Sequence, residues 1–518
     1  MRSGVKESYC AWSVRQPYEL GRSTLICSPL SKSKQWPRRP LALKVRRLTP
    51  SQEGKQELDV SNIEDIANRT AAGIALAYRS GEASPVDLTE CMLERIAGAK
   101  GDNIFISVNA GRARQEAKRA TGRYEVGAPL SPLDGVPIGW KDLFDVAGSP
   151  TTAGSKLFGA SPAKTDTPCV ANATAAGMVS AGKLNMTELA YSGLGLNPHF
   201  GTALNPNDRK TPRSPGGSSS GSGASVAARL LPCAIGSDTG GSVRIPAAFN
   251  GVVGYKTSTG RIDTSGIVPL ARSYDTVGPL ARSVEDCILL DMVLRGAVTT
   301  PVRRGDLSGL TLIVPRNVVL DDADEAVVEN FDRSIEALAK AGATVRREQL
   351  DTLDEVVEMN ARYGTLTAAE AYHEYRDIVD SDKVEMVDRR VVKRIVDGKR
   401  MSANDLVSIQ RGRRKLIEKF HDQLGSALLA MPTTPITAPE VAPLEASDEV
   451  FHAVNLKTLR NAMLGNILDL CGVAMPNGRD TGNLPTSLLI SAGHNDDERL
   501  LGYALEIERV VREASGWQ

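Results

Sequence analysis

Residues 214–223 read Ser214-Pro215-Gly216-Gly217-Ser218-Ser219-Ser220-Gly221-Ser222-Gly223, and a second turn follows at Gly236-Ser237-Asp238-Thr239-Gly240-Gly241-Ser242-Val243-Arg244. A glycine–serine run taken alone reads as a flexible linker. This one sits mid-chain, leads into the alanine-rich stretch Ala224–Leu231, and is followed by another glycine–serine turn inside core-like sequence. A linker explains none of that. A phosphate loop is the next reading, because glycine-rich turns at helix N-termini bind anions. No Gly-Lys-Ser/Thr closes the run, and no Gly-x-Gly-x-x-Gly follows a strand in the manner of a dinucleotide site.

A hydrolase has a positive physical basis. A serine hydroxyl is a poor nucleophile until a base takes its proton. The attacked carbonyl then needs backbone N–H donors for its developing charge. Thr239, Gly240, Gly241 and Ser242 could supply these, since two residues without side chains let the backbone curl around an oxyanion. The five histidines, His199, His373, His421, His452 and His494, stand in no catalytic setting and read as ordinary polar or capping residues. A lysine base is the alternative. It must be neutral to work, which burial achieves by lowering its pKa. Lys141 follows the apolar run Val136–Trp140 and precedes Asp142 and Leu143, so it is expected at the end of a buried strand.

Around these turns the texture is α/β. Short apolar runs, Val136-Pro137-Ile138, Met178-Val179, Cys233-Ala234-Ile235 and Val252-Val253, alternate with helical stretches such as Cys169–Ala176 and Ala224–Leu231. Buried strands alternating with helices predict a sheet covered on both faces. Ser61 with Glu64 reads as a capping box opening a helix that closes at Gly81. Ser84, Pro85 and Asp87 then start another, as N-cap, first helical residue and first-turn acid. Residues 324–341 and 353–423 are expected to be mostly helical, 484–490 a strand, and 496–513 a closing helix.

The 62 basic residues balance the 62 acidic ones, which argues against a nucleic-acid or membrane-surface binder. No apolar run of 18 or more residues is present. Seven scattered cysteines without a C-x-x-C pair exclude a zinc or disulfide framework and point to free thiols in a reducing compartment. Residues 1–58 differ from the rest: twelve Lys/Arg against Glu7, Glu19, Glu53 and Glu57, with five prolines and no sustained period. That basic, acid-poor stretch resembles a transit peptide, and fits a disordered tail or an overextended gene start equally well. It is expected outside the fold, with residues 59–518 forming one catalytic domain.

Four segments then carry a resemblance. Leu133-Asp134-Gly135-Val136-Pro137-Ile138-Gly139-Trp140-Lys141-Asp142, Gly182-Lys183-Leu184-Asn185-Met186-Thr187-Glu188, the Gly217–Gly221 run and Gly236–Arg244 resemble the amidase signature family, in that family's order. The match continues through Gly251-Val252-Val253-Gly254 and spans residues 60–513 overall. The resemblance implies an amidase-signature fold, a mixed twisted central β-sheet wrapped by helices. It implies Lys141 as general base, Ser218 as bridging serine after a cis peptide, and Ser242 as nucleophile, 24 residues beyond Ser218. Asp238, Ser219 and Arg244 become residues that hold the loops. No metal or organic cofactor is implied. The partner implied is a small amide, with neither nucleic acid nor membrane; a cytoplasmic location is expected from the cysteines, and a homodimer is one open assembly. Residues 300–460 are expected to build the cleft wall, where Arg362, Tyr363, Tyr372 and His373 either face substrate or, as the better expectation, take helix-surface or packing roles.

Two departures bear on substrate: Asn483-Leu484-Pro485-Thr486-Ser487 and Tyr255-Lys256-Thr257-Ser258 replace commoner family patterns. They favour a free-standing amidase over the glutaminase subunit of a tRNA-dependent amidotransferase. A non-catalytic scaffold is disfavoured because all three catalytic residue types are present.

Overall fold

The structure, a computed structural model, describes residues 60–517. The basic segment 1–58, with Cys10 and Cys27, lies outside the described residues. Eleven strands, β1 (Phe105–Val108), β2 (Pro137–Lys141), β3 (Val179–Leu184), β4 (Cys233–Asp238), β5 (Val253–Lys256), β6 (Thr276–Ala281), β7 (Thr311–Pro315), β8 (Thr344–Glu348), β9 (Leu428–Pro432), β10 (Cys471–Arg479) and β11 (Pro485–Ala492), form one sheet. Their order is β1-β3-β2-β4-β6-β5-β10-β11-β9-β7-β8. β2 lies parallel to both β3 and β4, β7 is parallel to β8 and β9, and the remaining pairs are antiparallel. The mixed sheet expected from the sequence is therefore present. Every residue of β2, β3, β4 and β6 is buried, because helices cover both faces there.

Local chemistry explains most element ends. Ser84 caps the helix Pro85–Gly98 through the Asp87 N–H, and Gly81 closes the helix Ala71–Ser80 in the left-handed region, φ 78°. The helix expected from Ser61 to Gly81 is two helices, Val60–Ala67 and Ala71–Ser80. Ser61 falls inside the first, and the second has its own cap in Thr70, which accepts from the Gly73 N–H. A competing cap thus ended the run that periodicity alone would continue. The other expected elements appear as Pro168–Ala175, Glu325–Lys340, β11 and Asp497–Ser515.

The glycine–serine run differs most from expectation. The helix there spans Ser220–Ala227, so it opens inside the run rather than at Ala224. The glycines serve close approach. A Cβ on Gly221 would sit 2.4 Å from the Ile104 carbonyl oxygen and 2.5 Å from the Asn185 nitrogen. Residues of low helix propensity are tolerated because tertiary packing decides.

Candidate active site

The order of strands brings the site together. β2 lies between β3 and β4, so the C-terminal residue of β2, Lys141, stands beside the end of β4 and the turn that follows it. That turn carries Thr239–Ser242 into the helix Arg244–Asn250. The glycine–serine helix packs on β4 from the same side, which delivers Ser218.

Lys141 is fully buried. Its Nζ donates to Ser218 Oγ at 2.7 Å and to Ser237 Oγ at 2.8 Å. Burial pulls its pKa down to about 7, opposed by the negative charges of Asp275 and Asp238. At neutral pH a substantial neutral fraction can therefore act as base. The Gly217–Ser218 peptide is cis, as the resemblance implies. The segment is fixed on both sides, with Gly217 N–H donating to Gly193 O at 2.7 Å and Thr187 N–H to Ser218 O at 3.0 Å. Ser242 is 5% exposed and its carbonyl accepts the Ser219 N–H at 3.3 Å, which ties the two serine segments together. Among the described residues no hydrogen bond joins the Ser218 and Ser242 hydroxyls.

Asp238 organises the turn. It accepts from Gly241 N–H at 2.9 Å, Val243 N–H at 3.1 Å, Arg244 Nε at 3.0 Å, Arg244 Nη2 at 2.9 Å and Asn466 Nδ2 at 2.9 Å. Burial works against its charge, but the Arg244 guanidinium holds the carboxyl well below the usual range. Gly241 N–H, one of the four oxyanion donors expected, is directed to Asp238 here. Gly241 instead supplies a φ of +118°, and its absent side chain makes room for Ala462 and Ile245. Ser219 donates to the Ser237 carbonyl at 3.3 Å and helps seat the run on β4.

Sequence reasoning missed several residues that the fold brings here. Ser237, the second Lys141 partner, stands one residue before Asp238, within a motif already quoted. Thr187 lies in another. Asn466 bonds both Asp238 and Arg244, the latter by accepting from Nη2 at 2.6 Å, and the sequence did not place it at the site. The same is true of Asn455, whose Oδ1 accepts from Gly193 N–H at 2.8 Å and Ser192 Oγ at 3.1 Å. Both belong to the helix Asp448–Ile467, which runs past residue 460, the end of the expected cleft wall. Asp275, which accepts from Thr239 Oγ1 and faces Lys141, is a third; burial raises its pKa.

That same helix carries Leu459 to Gly240 and, further back along its length, Leu456 and His452. A cleft of about 440 Å³ opens there, lined by Tyr191, Gly364, Thr365, Ala368, Lys393, Arg394, Asp397, Met401, His452 and Leu456. Arg394 lies over the Tyr191 ring at 4.4 Å, with its Nε buried and without a partner. It has no ion pair among the described residues. The four residues weighed as substrate contacts are elsewhere. Arg362 stacks on Tyr363 over an outer groove, Tyr372 donates to Asp380 at 2.6 Å, and His373 is exposed. Arg362 and His373 lie on helix surfaces, while Tyr363 and Tyr372 pack partly against the core. The histidines stand apart from Lys141, with His199 held to Glu188 at 2.9 Å and His494 to Asp469 at 3.3 Å.

A large mixed sheet that holds a dry lysine against a serine is the framework of an amidase-signature hydrolase. Comparison with known proteins agrees: the chain belongs to the Amidase family, whose model matches residues 87–501. It is 34% identical over 422 residues to 2-amino-5-chloromuconic acid deaminase of Comamonas testosteroni, covering 79% of this chain and 88% of that one. It is 32% identical to a glutamyl-tRNA(Gln) amidotransferase subunit of Thioalkalivibrio sulfidiphilus, over 86% of this chain and 97% of the relative. A solved amidase structure superposes with a TM-score of 0.76 at 30% identity, covering 85% of this chain and 99% of that one. The protein is thus an amidase-family hydrolase acting on C–N bonds. No described helix is long and apolar enough to cross a membrane.

Proposed function

We propose that this chain is a free-standing amidase that hydrolyses a small, carboxylate-bearing amide through an acyl-enzyme on Ser242. The observation that carries this reading is the buried Lys141, drawn down to about 7 and in contact with Ser218 at 2.7 Å. Neutral Lys141 takes the Ser218 proton as Ser218 takes that of Ser242. Ser242 Oγ then forms a bond to the amide carbon. The oxyanion is held by the N–H groups of Thr239, Gly240 and Ser242. As the C–N bond breaks, the nitrogen receives a proton from Ser218, which Lys141 replenishes. Water enters by the same relay, regenerates Ser242 and releases the carboxylic acid.

The carboxylate preference rests on Arg394. A guanidinium in a cleft without an ion pair is an unmet demand for a planar anion. The Comamonas relative is named for a substrate that is itself an acid. A second reading, the glutaminase subunit of an amidotransferase, draws on the Thioalkalivibrio relative, matched over 97% of its length.

Matched pairs of carboxylated and neutral amides, with glutamine included, test both. Ammonia or amine release should favour the carboxylated member. Arg394→Gln should raise its KM by about tenfold or more and leave the neutral member alone. Turnover of glutamine alone, and only with partner subunits present, would replace the first reading by the second.

A further inference from the structure

A separate cavity of about 260 Å³ opens at the far ends of the helices Ser220–Ala227 and Arg244–Asn250. Their first residues adjoin Ser218 and Ser242, so the cavity lies roughly 10–12 Å away along each helix axis. Four arginines line it: Arg229, Arg282, Arg479 and Arg512. Arg512 is held by Glu508 at 2.9 Å, whereas the other three have no ion pair among the described residues. Arg282 is anchored by carbonyls, Leu231 O at 3.0 Å, Ala67 O at 3.4 Å and Arg69 O, while its Nε is buried without a partner. Burial lowers its pKa to about 10, with Asp286 the main opposing charge. Arg479 lies over the Trp517 ring at 4.3 Å and donates through Nη1 to Asn483 O at 2.7 Å. Arg229 donates through Nη1 to Asn68 O at 2.8 Å.

The ordinary role for such arginines is to complement the carbonyl ends of helices. That role accounts for Arg282, whose Nη groups are spent on carbonyls. It leaves Nε and Nη2 of Arg229, Nε and Nη2 of Arg479, and Nη1 of Arg512 without partners among the described residues around one concavity. Behind them the half-buried Arg282 adds a positive charge that no ion pair holds among the described residues, with Asp286 its main counter-charge. Converging forks of this kind match the oxygens of a tetrahedral oxyanion.

We infer that this cavity binds a small multiply charged oxyanion of the phosphate class, inorganic or carried by a small molecule. Its concave form and the neutral overall charge of the chain disfavour an extended polyanion.

Calorimetric titration of the full chain with inorganic phosphate and with pyrophosphate, at ionic strength fixed by chloride, tests this. One saturable site per chain is expected, for one or both probes. Binding of phosphate would identify the free ion as sufficient, and binding of pyrophosphate alone a diphosphate-bearing ligand. Arg229→Gln and Arg479→Gln, whose side chains are exposed and whose melting curves should match the parent, should each weaken binding by about tenfold. The double variant should abolish it. Ser242→Ala and Arg394→Gln should bind unchanged. No saturable binding by the parent, undiminished binding by the double variant, or loss of binding in Arg394→Gln would overturn the assignment. So would preference for a short DNA duplex over both probes.

Discussion

Between Leu133 and Ala281 the chain turns its polar groups inward; between Asp351 and Ile467 it turns most of them out. The first region buries Lys141, Asp142, Lys183, Ser218, Asp238 and Arg244 and pairs most of their polar atoms, leaving Arg244 Nη1 without a partner among the described residues. The second is a set of amphipathic helices, Asp351–Tyr363, Leu366–Val379, Arg389–Lys399, Ala403–Leu424 and Asp448–Ile467. Their buried residues are mainly apolar and their charges mostly meet water. The contrast fits the roles proposed for the two regions. Proton relay needs desolvated groups held at fixed distances, whereas a cleft wall needs only a stable surface on which a few residues can change. Asn455 and Asn466 are among the exceptions, buried amides that tie this region to the glycine–serine turns.

The largest effect should come from the first region. Ser242→Ala should lower kcat by about 10⁴-fold or more with an unchanged melting temperature; near-parental turnover would remove Ser242 as nucleophile. Glycine substitutions separate the regions by stability. Gly221→Ala should destabilise by about 3 kcal/mol or more, because the new Cβ meets backbone at Ile104 and Asn185, which cannot yield. Gly412→Ala, inside a wall helix, meets only Met359 Sδ at 2.8 Å, a movable side chain. It should be neutral or stabilise by up to about 1 kcal/mol. Equal losses in urea melts of the two variants would erase the distinction.

A clamp should give an intermediate result. Asn466→Ala frees Asp238 and Arg244 from the wall, and kcat should fall by about 10- to 100-fold with KM little changed. A rise in KM alone would instead assign Asn466 to the substrate cleft. The pH profile tests the burial argument. Lys141 is depressed to about 7 from 10.5, so its neutral form gains tenfold per unit below that value and is dominant above it. The kcat/KM should rise with pH through about 7 and then level. A limb centred near 10 would contradict the desolvation. Least affected should be the outer wall: Arg362→Ala and Tyr372→Phe should keep kcat/KM within about twofold, as surface changes do.

Much of the chemistry was legible because it is written in local pattern. Glycine spacing, the two serine turns and a lysine ending an apolar run stand close in sequence, and their packing needs are strict. Helices with caps at Ser84 and Gly81 were legible for the same reason. The break at Thr70 was not, because periodicity continues across it and only the cap chemistry decides. Opening of the helix at Ser220 was hidden too, since glycine and serine carry poor propensity and gain their helix from neighbours distant in sequence.

The sequence by itself determined the α/β sheet, the residue types of the relay and the segments that bear them. Tertiary structure alone decided which groups those residues meet. Asn466 reaches Asp238 across 228 positions, and Ser237 rather than a carboxylate takes the second Lys141 bond. It also committed Gly241 N–H to Asp238, and it set Arg394 in a cleft while leaving Arg362 outside. Side-chain identity specifies what a residue can do; strand order and burial fix its partners and dielectric, and these two together set whether a lysine is a base or a surface charge.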